Sequence, residues 1–273
     1  MNVPPPDPLP MDLERAIRSV EARLAPFGRR VHYFHELGST NDVAARLADR
    51  GAPEGTVVVA ASQTAGRGRL GRNWYSPADA GLYVSLICRN RIAAPFLTLA
   101  GGVAVAAGLR MATGLPVEIK WPNDIVASAG GGPGRRRKLA GILAEASTGI
   151  DGLRFVVLGI GINLRPAAYP PSLGDRATSL EAELGRAVDS VFVLIEVLAA
   201  FAELFASLAA GRQDVVLDRW RALAPSASGT RVTCETGRGA VEGVTAGIAE
   251  DGALLVRTDG GTERIVAGEV LWR

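Results

Sequence analysis

The chain has 273 residues, 48% of them apolar, with 30 basic and 28 acidic side chains that leave a net charge of +2 and a pI near 8.7. That is enough apolar material for one large domain, or one large and one small. The charges are interspersed rather than collected on one segment, which excludes the broad basic footprint of a nucleic-acid-coating protein. Two cysteines, Cys88 and Cys234, lie far apart in apolar or strand-like surroundings, fit no metal or redox spacing, and read as inert thiols of a reduced cytoplasmic protein.

The opening MNVPPPDPLPMD carries four prolines in its first eight residues and no apolar stretch, so residues 1–12 are expected to form a mobile arm rather than a targeting peptide. Leu13, Ile17, Val20 and Leu24 predict one short amphipathic helix. A strand is expected over Val31–Leu37, then a helix capped by Ser39 or Thr40 and closed by Gly51. Strands follow at Thr56–Ala61 and Leu82–Cys88, with QTAGRGRLGRNW (Gln63–Trp74) between them as a loop. Ile92–Leu109 is uncharged for about the length of a minimal membrane span. Pro95, Thr98 and its glycines mark it instead as a helix buried against a sheet, so a soluble protein is expected.

Short extended pieces are predicted at Val117–Trp121 and Ile125–Ala127, followed by the glycine-rich and then basic tract SAGGGPGRRRK, a surface loop. KLAGILAEAS and LRFVVLGIGINL form a hairpin around TGIDG. Helices are expected over Asp189–Leu208, where Glu196 and Glu203 interrupt an apolar cylinder, and over Asp214–Leu223. At APSASG the composition shifts to short strands and glycine turns, which place a domain boundary near residue 225 and a small β-barrel-like module after it. The fold class is α+β: a mixed sheet backed by helices over 13–224, then the small module over 225–273.

The glycines of the Gln63–Trp74 stretch spell G-x-G-x-x-G, the fingerprint of a dinucleotide fold. That fold also needs a helix after the glycines and an acidic residue on the ribose. Here Pro77 and Gly81 follow instead, and no Asp or Glu occurs from Gly81 through Val117. The loop still suits an anion, since Arg67, Arg69 and Arg72 offer paired donors to carboxylate or phosphate oxygens; taken alone it reads more simply as a solvated arginine loop. KWPND (Lys120–Asp124) presents Asn123 and Asp124 at a strand end after Pro122, or forms an Asx turn beside a packed tryptophan. Lys138 places a cation in an apolar strand, and Asn163 ends GIGIN as turn or contact residue. No phosphate loop, nucleophile elbow or H-E-x-x-H motif is present, and His32 and His35 read as structural. What is left is chemistry by positioning and charge neutralisation.

In this order, STND, QTAGRGRLGRNW, KWPND, KLAGILAE and GIGINL closely resemble the biotin protein ligase family over residues 30–273. The resemblance implies a class II synthetase-like sheet and an SH3-like C-terminal barrel. It also implies ATP, magnesium and biotin as reactants, biotinyl-AMP as intermediate, and a lysine of a biotin carboxyl carrier domain as acceptor. It assigns Ser39, Thr40, Asn41, Gln63, Gly68 and Gly141 to biotin, with Arg67, Arg69 and Lys138 shared between biotin and the reacting carboxyl and phosphate. Arg69, Arg72, Trp74, Asn123 and Asn163 fall to ATP and the adenylate. Lys138, Arg67 and Asp124 are the catalytic candidates, Asp124 either helping the acceptor lysine lose its proton or holding magnesium.

Some family members carry an N-terminal winged helix-turn-helix; the short segment before the first strand here leads to the expectation of a form that binds neither DNA nor membrane, as monomer or homodimer, with an exposed sheet edge near GIGINL as the pairing candidate. A lipoate or octanoate ligase of the same fold, and a sensor that binds biotinyl-AMP without using it, are the alternatives.

Overall fold

The computed structural model describes residues 3–128, 136–167, 169–170, 173–237 and 239–272. Most of the basic tract after Ser128, residues 129–135, lies outside them. The chain enters through α1 (Met11–Ser19) and α2 (Glu21–Leu24). Where the apolar spacing predicts a single helix, the backbone breaks at Val20 (φ −130°, ψ 21°). The turn lets Leu13, Ile17, Leu24 and Phe27 enter one core, Phe27 edge-on to Phe201 at 5.0 Å. Upstream, the expected free arm is tied down, because Asp7 bridges Tyr33 and its carboxylate accepts the His35 backbone N–H at 2.7 Å.

A seven-stranded mixed sheet follows, in the order β1-β2-β3-β7-β6-β5-β4. β1 (Arg30–Leu37) and β2 (Thr56–Gln63) are parallel because α3 (Thr40–Asp49) crosses between them. All other neighbours are antiparallel: β3 (Gly81–Cys88), the short hairpin β4 (Val117–Lys120) and β5 (Asp124–Ser128), and the long hairpin β6 (Arg136–Gly149) and β7 (Gly152–Asn163). β7 is flanked by β3 and β6, so the stretch near GIGINL is the middle of the sheet and not the exposed edge the sequence suggested.

The two faces of the sheet are treated differently. One is covered by α4 (Leu97–Thr113), with α7 (Gln213–Leu223) against β4 and α6 (Ser190–Ala209) packed on α4, and Leu158, Ile160, Ile162 and Ile142 are buried there. α4 and α6 are both apolar and long enough to cross a membrane, yet here they pack on one another. At Gly108 a Cβ would stand 2.7 Å from the Val197 backbone, so only glycine lets the helices meet. On α6, Glu196 is neutralised by the forked guanidinium of Arg23 at 3.0 and 3.2 Å.

The opposite face is covered only in part, by α3, through a smaller core of Phe34, Leu37, Val43, Ala44, Val58 and Ala60. The remaining area is open. The second unit is a five-stranded antiparallel sheet, β11-β10-β9-β8-β12, running from β8 (Ser228–Thr236) through β9 (Gly239–Ile248), β10 (Leu254–Thr258) and β11 (Gly261–Ile265) to β12 (Glu269–Trp272). It is seated on the β4–β5 end of the large sheet. Trp121 Nε1 donates to the Gly252 carbonyl at 3.0 Å, and the Trp272 ring lies between Lys120 Nζ and the Arg136 guanidinium at 4.8 and 4.5 Å.

Both cysteines are buried, and burial pushes both thiols up, Cys88 farther than Cys234.

Candidate active site

Side chains alternate across a strand, so positions 141, 143 and 145 of β6 and 159, 161 and 163 of β7 share the open face. Gly141 and Gly161 are direct cross-strand partners, and Gly159 stands opposite Ser85 of β3. Three glycines on two adjacent strands remove the side chains that would fill this face. The result is a narrow cleft, with about 50 Å³ of free space and a backbone floor.

One wall is the N-terminus of α3. Ser39 sits at the N-cap position but makes no capping bond; the Thr40 N–H is taken by Gln63 Oε1 from β2 at 2.8 Å, with the Thr40 hydroxyl on the same oxygen at 3.1 Å. Gln63 Nε2 donates to Ser76 Oγ at 2.8 Å. Beneath, the buried Ser85 hydroxyl lies 2.8 Å from Thr40 Oγ1 and 2.6 Å from Asn41 Oδ1, and Asn41 Nδ2 donates to Glu145 Oε2 at 2.7 Å. A Cβ on Gly159 would fall 2.2 Å from Asn41 Oδ1. This wall is polar, buried and rigid.

The opposite wall is the arginine–glycine stretch, a loop as its composition predicts, drawn into a narrow ribbon by two isolated bridges and a 3-10 turn at Arg69–Gly71. Gln63 pairs with Ser76 and Arg67 with Asn73; Leu70 and Gly71 turn the tip with φ of 57° and 73°. The ribbon folds back over the sheet. Arg67 reaches Asp42 and Glu145 at 2.9 and 2.5 Å, Arg69 Nη1 donates to Asn123 Oδ1 at 3.1 Å, and Trp74 lies on Gly161, where a Cβ would stand 2.5 Å from its indole. Trp74 Nε1 is buried without a hydrogen-bond partner. Burial pushes the Arg69 guanidinium down, with Asp124 opposing.

Lys138 rises from β6 beside Asp124 of β5, Nζ to Oδ1 2.6 Å, and 5.2 Å from the centre of the Trp74 ring. Asn123, which Pro122 was expected to expose, is buried: it donates to the Ile142 carbonyl at 2.8 Å and its own carbonyl accepts the Ile142 N–H at 2.9 Å. The reason is that β6 pairs alongside β5, Asp124 opposite Gly141, which brings Ile142 beside Asn123.

Ser39, Thr40, Asn41 and Gln63 therefore line one half of the cleft, and Arg69, Trp74, Asn123 and Lys138 the other, with Arg67 and Gly68 above and Gly141 below. Three expected site residues are not in its lining. Asp124 touches it only through Lys138. Asn163 is buried and donates to the Thr178 carbonyl at 2.9 Å, which holds the segment running past Lys138. Arg72 turns away to Glu269 of β12, tying the ribbon to the C-terminal sheet; Glu269 is held below the usual carboxylate range chiefly by its hydrogen bond from Arg72.

Ser85, Gly159 and Gly161 were missed as site residues. The period-two glycines of GIGIN were the available signal, since glycine alternating inside an apolar strand marks a close approach on one face.

The Biotin/lipoate A/B protein ligase family matches residues 33–163, and the Biotin protein ligase C terminal domain matches residues 227–273. The bifunctional ligase/repressor BirA of Bacillus subtilis is 36% identical over 248 residues, covering 89% of this chain and 74% of the relative. The biotin–[acetyl-CoA-carboxylase] ligase of Mycobacterium tuberculosis is 32% identical over 96% of both chains. Among solved structures, a biotin protein ligase from Aquifex aeolicus in complex with biotin and ATP superposes with a TM-score of 0.76 at 30% identity, covering 90% of this chain and 99% of that one.

Proposed function

The chain belongs to the biotin protein ligases, and on that premise we propose that it condenses biotin with ATP to biotinyl-5′-AMP and passes the biotinyl group to a lysine of a carboxyl carrier protein. The observation that carries the site assignment is the position of Lys138: one cation at the glycine floor, between the polar α3 wall and the Trp74 ring.

In the first half-reaction a biotin carboxylate oxygen bonds to the α-phosphorus of ATP and pyrophosphate leaves. Two anions must meet, so the barrier falls when fixed positive charge is already in place. Lys138 from β6 and Arg69 from the ribbon supply it in the same half of the cleft. Asp124, 2.6 Å from Lys138 Nζ, holds the ammonium in the direction of the reacting oxygens. The buried network of Ser39, Thr40, Asn41 and Gln63 suits the neutral, hydrogen-bonding end of biotin, because none of its members carries a charge. Trp74 suits the adenine. Its indole N–H is buried without a partner where it lies and is free to donate to an acceptor that the nucleotide brings.

In the second half-reaction the acceptor amine, having lost its proton, attacks the anhydride carbonyl and AMP leaves. We assign the ammonium's proton to Asp124, the carboxylate that borders the cleft beside Lys138. Among the described residues no three His, Cys, Asp or Glu side chains converge, so a magnesium ion would be held mainly by the ATP phosphates, with Asp124 beside Lys138 as the carboxylate candidate. No step is assigned to the metal.

Native mass spectrometry after incubation with magnesium-ATP and, separately, biotin, lipoate or octanoate tests the reading. A retained biotinyl-AMP adduct is expected with biotin; an adduct with another acid alone would keep the adenylation and overturn the biotin assignment.

A further inference from the structure

Arg67 is the one ribbon arginine that meets two carboxylates at a single nitrogen. Its Nη2 lies 2.9 Å from Asp42 Oδ1 and 2.5 Å from Glu145 Oε2. One guanidinium between two carboxylates leaves a net charge of −1, so the trio does not offer the positive field that an incoming carboxylate or phosphate requires. That field comes from Lys138 and Arg69. The role left for Arg67 is mechanical.

We propose that Asp42 and Glu145 are positioning residues that latch Arg67, hold the ribbon down on the cleft, and so retain activated biotin until the acceptor lysine arrives. The proposal rests on the ligase reading above. Both ends of the latch are anchored. The Glu145 oxygen that binds Arg67 also takes Asn41 Nδ2 at 2.7 Å, and Asn41 is fixed in turn by Ser85 and by the missing side chain of Gly159. Asp42 sits in the first turn of α3, where the helix dipole favours a negative charge.

The ribbon transmits the tie. Arg67 pairs with Asn73, Gly68 N–H donates to the Arg72 carbonyl at 2.7 Å, and Trp74 N–H donates to the Gly66 carbonyl at 2.8 Å, so seating Arg67 seats the Trp74 ring. Side-chain exposures of 42% for Arg67, 38% for Asp42 and 35% for Glu145 place the pairs within reach of solvent and salt. Such a latch is weak enough to open in every turnover.

The test measures release and formation of the adenylate separately. Enzyme is loaded with labelled biotin and magnesium-ATP, freed of excess ligand, and followed for loss of biotinyl-AMP; the pre-steady-state rate of pyrophosphate formation is read on the same preparations. Asp42→Asn is the cleaner variant, since the described contacts of Asp42 to the ribbon are to Arg67 alone. Release should accelerate about two- to five-fold in Asp42→Asn and about ten-fold when combined with Glu145→Gln, the range set by partly exposed ion pairs. In Asp42→Asn, pyrophosphate formation at saturating substrate should change by less than about two-fold, and Asp42→Glu should restore retention. Raising salt to about 0.5 M should speed release from the unaltered enzyme by a larger factor than from the double variant, where only the Lys138 and Arg69 contacts to the adenylate are left to screen.

Unchanged release in the double variant would overturn the latch, as would equal losses in formation and retention that track a fall in thermal stability. If the unaltered enzyme makes no biotinyl-AMP, the ligase reading itself fails, and the latch with it.

Discussion

Replacing Gly161 with alanine inserts a Cβ 2.5 Å from both Nε1 and Cε2 of Trp74. The strand cannot yield, because Gly161 is paired with Tyr83 on one side and Gly141 on the other in the middle of the large sheet. The indole can yield, because it is carried on a ribbon whose tip residue Leu70 is solvent-exposed. The overpacking should therefore appear as displacement of Trp74, with a folding cost below about 1 kcal/mol, under the usual range for a closed core. Base-on-aromatic stacking is worth about 1–3 kcal/mol, so affinity for a non-hydrolysable ATP analogue should fall about 5- to 150-fold by calorimetry. Biotin affinity, which depends on the α3 wall, should change little. Unaltered nucleotide affinity alongside a displaced indole, read from tryptophan fluorescence, would refute Trp74 as the adenine platform. A large loss of thermal stability would refute the claim that the ribbon absorbs the strain.

Lys138→Ala should lower the rate of adenylate formation by about 10²–10³-fold while leaving the fold intact, since one preorganised cation is removed from a half-exposed position; pyrophosphate release measures it. In α4 two glycines should respond with opposite sign to alanine. Gly108→Ala drives a Cβ into the Val197 backbone and should destabilise by about 1–3 kcal/mol, whereas Gly102→Ala meets Ile119 at an ordinary 3.7 Å and should stabilise by about 0.5–1 kcal/mol in denaturant titrations. Burial holds the His32 imidazole below its ordinary value of 6.5. The unfolded chain therefore takes up the proton first, so stability is present above about pH 6.5 and is lost as pH falls through the folded value. His32→Gln should flatten the denaturation midpoint between about pH 7 and pH 5.

Much of the architecture was legible because it is local. The β-branched run Thr56–Ala61, the apolar cylinder of α6 and the Asp-Gly turn between β6 and β7 each declare an element within a window of a few residues. The ordered motifs likewise identify the family, and most of their polar residues do meet in one cleft. The break at Val20 was not legible, because spacing reports which residues seek a core and not whether the core is straight.

Sequence by itself determined the reactive inventory: three arginines among glycines, one lysine, one aspartate, a set of uncharged polar residues, and no classical nucleophile motif. Only the tertiary structure decided how the charges are spent. Arg67 is neutralised by Asp42 and Glu145, residues 25 and 78 positions away, and Arg72 by Glu269, 197 positions away. Asn123 is buried because β6 returns beside it, and Arg69 and Lys138 remain facing the floor. An ion pair forms wherever folding brings opposite charges within reach, and its energy depends on distance and burial rather than on sequence separation. That is why the motifs could name the residues while the sheet register assigned their work.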